Sequence, residues 1–424
     1  MPAAEQVRRR RVFYIPGYDP IHPRRYRELY RSEGSAQGKL SGYALTLKPK
    51  QGGGRYGWSV DAEIEGQKVS ADFEVLVWSD LVRSSMQASI LGTYGLMLAT
   101  AWRYIASGAL RRLMWLRKGP VIAALYPVGM LLVQAVAAVL IGILVAKAAA
   151  WSLGVLADRG LGAQIPALVT TLLQGAVFIA SAWAVLRWCK RQDGRFFAYY
   201  LMHDYAYSAR WQGANPPELE ARLAEFRAAI TAALNQNYDE VLVVGHSSGA
   251  HLAVSVLADL LHAEDLPSSG PVLSFLSLGQ VVPMVSFLPK ASRLRRDLAE
   301  LSAQDQVFWL DVTAPGDGCS FALCDPVATS GVAPGGQMYP LILSAAFSQT
   351  LSTARWKELR WRFFRLHFQY LCAFDNLKGR ADDYDYFRAT AGPLTLRARF
   401  SGRSPSASRI TRAASPYRST APRV

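Results

Sequence analysis

The stretch Val241–Ala250, VLVVGHSSGA, decides how the rest of the chain is read. Four apolar residues run into Gly245, Ser247 stands two positions on, and Gly249 two further. A short apolar run bounded by small residues reads as a buried strand, and the following HLAVSVLADLLHAE (251–264) has helical spacing. The pattern is strand, tight turn, helix, with a hydroxyl at the turn in the form G-x-S-x-G, a nucleophile elbow. Backbone at such a turn is strained and crowded, so Gly245 and Gly249 remove side chains that would strike the adjacent strand and helix. The helix N-terminus favours negative charge developing at Ser247, and the Ser248 backbone N–H is one donor for an oxyanion. The plainer alternative is a small-residue packing turn after a buried strand.

Around this stretch, short apolar strands alternate with amphipathic helices. PVLSFLSLGQ (271–280) and QVFWLDVTAP (306–315) read as strands, and ASRLRRDLAELSAQ (291–304) as a helix. NPPELEARLAEFRAAITAALNQ reads as a helix capped by Asn215, with Pro216 in its first position and Glu218 and Glu220 at its positive end. Near the start of the chain, RVFYIPG (11–17), YALTLKP (43–49), YGWSVDAEIEG (56–66) and ADFEVLVWSD (71–80) are further strand candidates. Alternation of this kind predicts an α/β fold with a mainly parallel sheet.

Two apolar runs separate the early strands from the late ones. GPVIAALYPVGMLLVQAVAAVLIGILVA carries no charge from Gly119 until Lys147, and the second run covers 165–188. Both match the roughly 20 apolar residues that cross a bilayer core as a helix. Arg111, Arg112, Arg117 and Lys118 precede the first run, and Arg187, Lys190, Arg191 and Arg195 close the second, whereas the link holds Asp158 and Arg159. By the positive-inside rule both outer ends, and both termini, lie in the cytoplasm of a bacterial inner membrane or other cell membrane, with the link outside. If strands on both sides of the insertion share one sheet, the chain crosses an even number of times. Two spans satisfy this, and the apolar but arginine-broken segment 86–118 is then expected to lie along the membrane surface.

Composition agrees with a part-globular, part-membrane chain: 424 residues, 51% hydrophobic, net charge +15. The charge is concentrated in Arg8–Arg11 and in seven arginines without an acid beyond residue 391. Basic ends can meet anionic lipid or nucleic acid, but no nucleic-acid-binding signature accompanies them, and no nucleic-acid partner is expected. The Ser-, Pro- and Arg-rich tail, 391–424, is expected to be disordered. Four cysteines, at 189, 319, 324 and 372, form no CxxC pair; reduced thiols, no metal and no cofactor are expected. The arginines ahead of VFYIPG leave no apolar core for a cleaved signal peptide.

The chain resembles the α/β-hydrolase superfamily of serine esterases and lipases. VLVVGHSSGAHLA is similar to the family's elbow, and VFYIPGYDP looks like its strand and oxyanion loop. The resemblance implies a second oxyanion donor at Gly17–Tyr18, taken as the Tyr18 amide, and a Ser, acid, His order along the chain. A serine hydroxyl needs a base to take its proton. His262 ends the helix after the elbow and His246 is inside the elbow, where it forms a wall of the site; His367 in FFRLHFQYL is left as the base. The acid is expected at Asp317 in APGDG, with Asp311 and Asp325 as alternatives; Asp382, Asp383 and Asp385 follow the histidine and fit the order poorly.

The expected organisation is therefore 1–85, the first part of a hydrolase sheet with the oxyanion loop; 86–118, an interfacial segment; 119–190, a transmembrane hairpin; 191–390, the second part of the sheet; and 391–424, a basic tail. The expected function is a membrane-anchored serine hydrolase acting on an ester or lipid-like substrate among membrane lipids. An acyltransferase with the same triad, or an inactive scaffold on the same fold, would share these features.

Overall fold

The structure, a computed structural model, describes residues 5–50, 53–159, 166–263, 266–267, 270–378 and 383–421. Residues 160–165 of the link, Asp382 and the last three residues of the tail lie outside them. The chain divides into two compact units, one formed by Met1–Ser84, Arg103–Ile122 and Ser208–Val424, the other by Ser85–Trp102 and Ala123–Tyr207.

The first unit is built on one eight-stranded sheet. Its strands are β1 (Arg9–Ile15), β2 (Ala44–Pro49), β3 (Gly57–Ile64), β4 (Gln67–Val75), β5 (Glu240–His246), β6 (Val272–Leu278), β7 (Val307–Thr313) and β8 (Leu341–Ser344), in the order β2-β3-β4-β1-β5-β6-β7-β8. β2 and β3 join antiparallel at one edge; from β4 onward every neighbour is parallel. β1 and β5 are paired, with Val12 opposite Leu242 and Ile15 opposite Gly245, so strands from both sides of the insertion share one sheet. The fold is α/β with a mixed, mostly parallel sheet, as the alternation of strand and helix implies.

β5 and β7 are buried along their whole length, as expected of strands covered on both faces. Helix Ser248–His262 packs on one face beside helices Pro217–Leu234 and Ser292–Ser302. The opposite side holds an aromatic core of Tyr26, Tyr30, Trp58, Phe73, Tyr370 and Phe387. Helix Arg24–Ser41 and the four-residue β8 carried no clear sequence signal and were not expected.

Three expectations are corrected. The tail is not disordered across its described part: Leu396 and Phe400, on helix Leu396–Phe400, are buried, and Arg399 pairs with Glu65 at 2.9 Å. Composition missed this because the tail borrows a core rather than forming one. The Arg8–Arg11 block is not a free basic patch but opens β1. Arg10 is fully buried against Glu240 at 2.6 Å and donates to the Gly392 and Leu394 carbonyls, and Arg11 pairs with Glu74. Asn215 does not cap its helix, which starts one residue later at Pro217; its amide donates to Glu220 instead.

The second unit contains helices Ile90–Ala106 (its C-terminal end reaching the first unit), Ala198–Arg210 and two long apolar helices, Lys118–Asp158 and Ala167–Arg191. Both long helices have the length and composition to cross a membrane. Ile90, Met97, Leu131, Tyr199 and Met202 form a small core. The long helices approach closely where a Cβ at Gly142 would lie 2.9 Å from the Phe178 ring. Only Cys189 is buried in Ala167–Arg191, and Leu168, Leu172 and Ile179 are each more than 60% exposed. The segment 86–118 is not one piece: Arg103–Ile122, including helix Ala109–Leu116, belongs to the sheet unit, and residues 191–207 to the other.

Candidate active site

The turn after β5 has the backbone its sequence requires. Ser247 has φ 56° and ψ −122°, a conformation that costs a side-chain-bearing residue on the order of 1–3 kcal/mol and clusters at functional turns. Its N–H donates to Leu278 O at 2.9 Å, tying the turn to the end of β6. The two elbow glycines have steric reasons. A Cβ on Gly249 would lie 2.1 Å from the Ile15 carbonyl oxygen, and one on Gly245 would lie 2.7 Å from that of Gly249. The helix therefore starts hard against the end of β1, and a methyl group at either position would push it away.

The loop after β1 comes to the serine as well. A Cβ at Gly17 would sit 3.0 Å from Ser247 Cβ and 3.4 Å from its Oγ. Tyr18 is buried next to this contact, its ring edge-on to Trp78 at 6.0 Å, and Trp78 Nε1 donates to Pro16 O. Ser248 opens the helix at its first position. Gly17 and Ser248 thus flank Ser247, with Tyr18 next in the chain after Gly17.

Asp317 lies in the turn after β7, its N–H donating to Ala314 O. His367 ends the short helix Phe363–His367. Their side chains meet: His367 Nδ1 is 2.8 Å from Asp317 Oδ2, and both residues are buried. Asp317 also accepts from the Cys319 N–H at 2.9 Å and from the Tyr370 hydroxyl at 2.9 Å. Burial alone would raise its pKa, but the charge of His367 and these hydrogen bonds outweigh it and hold the carboxyl below the usual aspartate range. His367 Cε1 lies 3.1 Å from where a Cβ on Gly279 would be, one residue past the carbonyl that Ser247 engages. The imidazole and the serine thus converge on the end of β6. Among the described residues no hydrogen bond closes between Ser247 and His367, which is common before substrate binds.

The alternatives separate cleanly. Asp311, inside β7, accepts from the Ser277 hydroxyl at 2.6 Å and contacts no histidine; burial pushes its pKa up to about 7. Asp325 caps helix Pro326–Thr329 through the Val327 and Ala328 amides. Asp385 does the same for helix Tyr386–Ala391. His262 ends the elbow helix, as expected. His246 is fully buried, and its Nε2 meets the His367 carbonyl oxygen at 3.0 Å with the rings 4.9 Å apart. Burial, with the nearby His367 charge, lowers its pKa to about 3, so it is a neutral donor to that carbonyl. It holds the backbone of His367, a closer role than the wall expected of it. Tyr370 was missed; its position three residues after the histidine carries no sequence signal.

Asp317, Cys319 and His367 present ligand atoms within 4.8 Å of one another and would suit a transition metal by donor type. In this cluster His367 Nδ1 and Asp317 Oδ2 are hydrogen-bonded to each other at 2.8 Å. Compared with protein-family models, with curated proteins and with solved structures, the chain finds no match, and the case for its chemistry rests on this geometry.

Proposed function

We propose that the chain is a membrane-anchored serine hydrolase that cleaves a carboxylic ester, as its resemblance to α/β-hydrolases implies. The observation that carries this is the strained Ser247 turn, packed by two closely crowded glycines, beside a buried His367–Asp317 pair, Asp317 from the turn after β7 and His367 from the end of a short helix near Gly279. Ser247 Oγ attacks the ester carbonyl while His367 Nε2 takes its proton; Nδ1 is committed to Asp317, which fixes the tautomer and balances the imidazolium. The Ser248 and Tyr18 amides receive the oxyanion. The C–O bond then breaks, the alcohol leaves with the proton from His367, and water repeats the cycle to free the acid. The apolar helices Lys118–Asp158 and Ala167–Arg191 span the membrane with the sheet unit in the cytoplasm, supported by the basic residues at their outer ends.

The test is labelling by a fluorophosphonate probe. The wild-type chain should form one adduct, mapped to Ser247, and Ser247→Ala should form none while keeping its melting temperature. A folded wild-type chain that never labels sinks the hydrolase assignment and leaves the scaffold. Product formed only on adding an acceptor alcohol identifies an acyltransferase.

A further inference from the structure

The chain segment that delivers His367 has an unusual outer surface. Helix Thr353–Leu359 and helix Phe363–His367 form a hairpin joined by the turn Arg360–Arg362. At its tip Trp361 is 72% exposed and Phe363 49%. Lys357, Arg360, Arg362 and Arg365 surround them and are exposed too, against one acid, Glu358, which contacts Arg362 and Arg365. Arg360 lies over the Trp361 ring at 5.6 Å, yet both aromatic rings remain exposed among the cations. A headgroup layer suits such a surface: indole and phenyl rings settle at the boundary of headgroups and chains, and each cation near an anionic surface adds to the attraction.

The hairpin also lies near the start of the uncharged run. Its inner side packs on the Asp317 turn: a Cβ at Gly316 would lie 2.6 Å from the Trp356 ring, and one at Gly318 would lie 3.5 Å from that of Phe363. Gly318 in turn faces Gly119, whose Cβ position is 3.4 Å from the Gly318 carbonyl oxygen. Gly119 opens the uncharged run of the long apolar helix, just after Arg117 and Lys118, and belongs to the same compact unit as the hairpin. Arg117 donates twice to Ala322 O, fixing this entry point to the same loop. The start of the uncharged run thus lies against the same loop on which the hairpin packs.

We propose that the hairpin Thr353–His367 docks on an anionic lipid bilayer, Trp361 and Phe363 entering the headgroup boundary, and that Ser247 acts on an ester resident in that leaflet. The substrate class rests on the hydrolase proposal above; the docking does not. The full-length chain is reconstituted in lipid nanodiscs of phosphatidylcholine with and without phosphatidylglycerol. Brominated lipid should quench part of the tryptophan emission that is lost in Trp361→Phe, more strongly in the anionic discs. Trp361→Ala and the pair Arg360→Gln/Arg362→Gln should each lower turnover of a long-chain ester dissolved in the disc roughly tenfold, with turnover of a short soluble ester unchanged. Equal quenching of wild type and Trp361→Phe overturns the docking. A proportionate fall on both esters overturns the leaflet substrate. Absence of turnover on any ester, without labelling of Ser247, removes the hydrolase proposal, and the quenching still decides the docking.

Discussion

Asp311 and Asp317 come from one strand and the turn that follows it, yet their surroundings shift their pKa values in opposite directions. Asp317 gathers His367, Tyr370 and a backbone amide and is held below the usual aspartate range, so it is a carboxylate wherever the protein works. Asp317→Asn should keep the fold's contacts but favour the wrong imidazole tautomer, cutting kcat by about 10³–10⁴-fold, whereas Asp325→Asn should cost little activity. Asp311, which accepts from Ser277, is raised to about 7, and among the described residues its Oδ2 has no hydrogen-bond partner. Between the ordinary aspartate range and that value the folded state holds a proton the unfolded state has lost, so this group's contribution to stability falls as pH rises. His251, buried in the elbow helix, is lowered to about 4, so its contribution rises with pH from there toward the ordinary histidine range. Thermal melts in detergent should separate the two. Relative to wild type, Asp311→Asn should gain more at pH 7.5 than at pH 5, and His251→Gln should fare relatively better at pH 5 (both pH values roughly bracketing the titrations). Parallel shifts at both pH values would show that neither group titrates on unfolding.

At the scale of elements, what could be read from sequence was what local chemistry encodes. The apolar strands beside Gly245 and Pro16, the elbow helix and the glycine pair all follow from periodicity and from steric crowding at a turn. The Asp317–His367 pair, fifty residues apart, was reached through the order implied by a family resemblance and the scarcity of histidines after the elbow. What stayed hidden depends on partners distant in the chain: β8, too short to show a pattern; Tyr370; the pairing of Arg10 with Glu240; and the tail. Residues 392–400 look like a solvated basic tail because composition counts the arginines and not the acids waiting for them, Glu65 for Arg399 and Asp305 for Arg397. The consequence is measurable. Ending the chain at Ala391 strips two carbonyl acceptors from the buried Arg10 guanidinium and the Leu396 amide from Glu240. The Arg10–Glu240 pair remains, but each buried group left short of a hydrogen bond costs about 1–3 kcal/mol, so the truncated chain should melt several degrees lower and be cut faster by protease. A tail that dangled would be removed without effect.

At the scale of the molecule, sheet continuity constrains the path through a membrane. β1 to β4 precede the apolar helices and β5 to β8 follow them, yet β1 pairs residue for residue with β5. Both halves must therefore be on one side, which requires an even number of crossings. Among the described residues, two helices are long and apolar enough to cross, and two is an even number. The longer has 41 residues, about 60 Å of helix against a hydrocarbon core of about 30 Å, so a spanning helix of this length would project at one end; Lys147 marks where the uncharged run ends. In the proposed orientation, with the basic flanks inside, the projecting turns and Asp158 would face the exterior. A cysteine at Asp158 should then react with a membrane-impermeant maleimide on intact cells, whereas one at the exposed Ser35 should react only after the membrane is opened. Reaction at Ser35 on intact cells, with Asp158 protected, would invert the orientation and leave the parity argument standing. Reaction at both positions on intact cells, or at neither until the membrane is opened, would put them on one side and remove the hairpin, because a sheet closed across β1 and β5 allows no odd crossing to replace it.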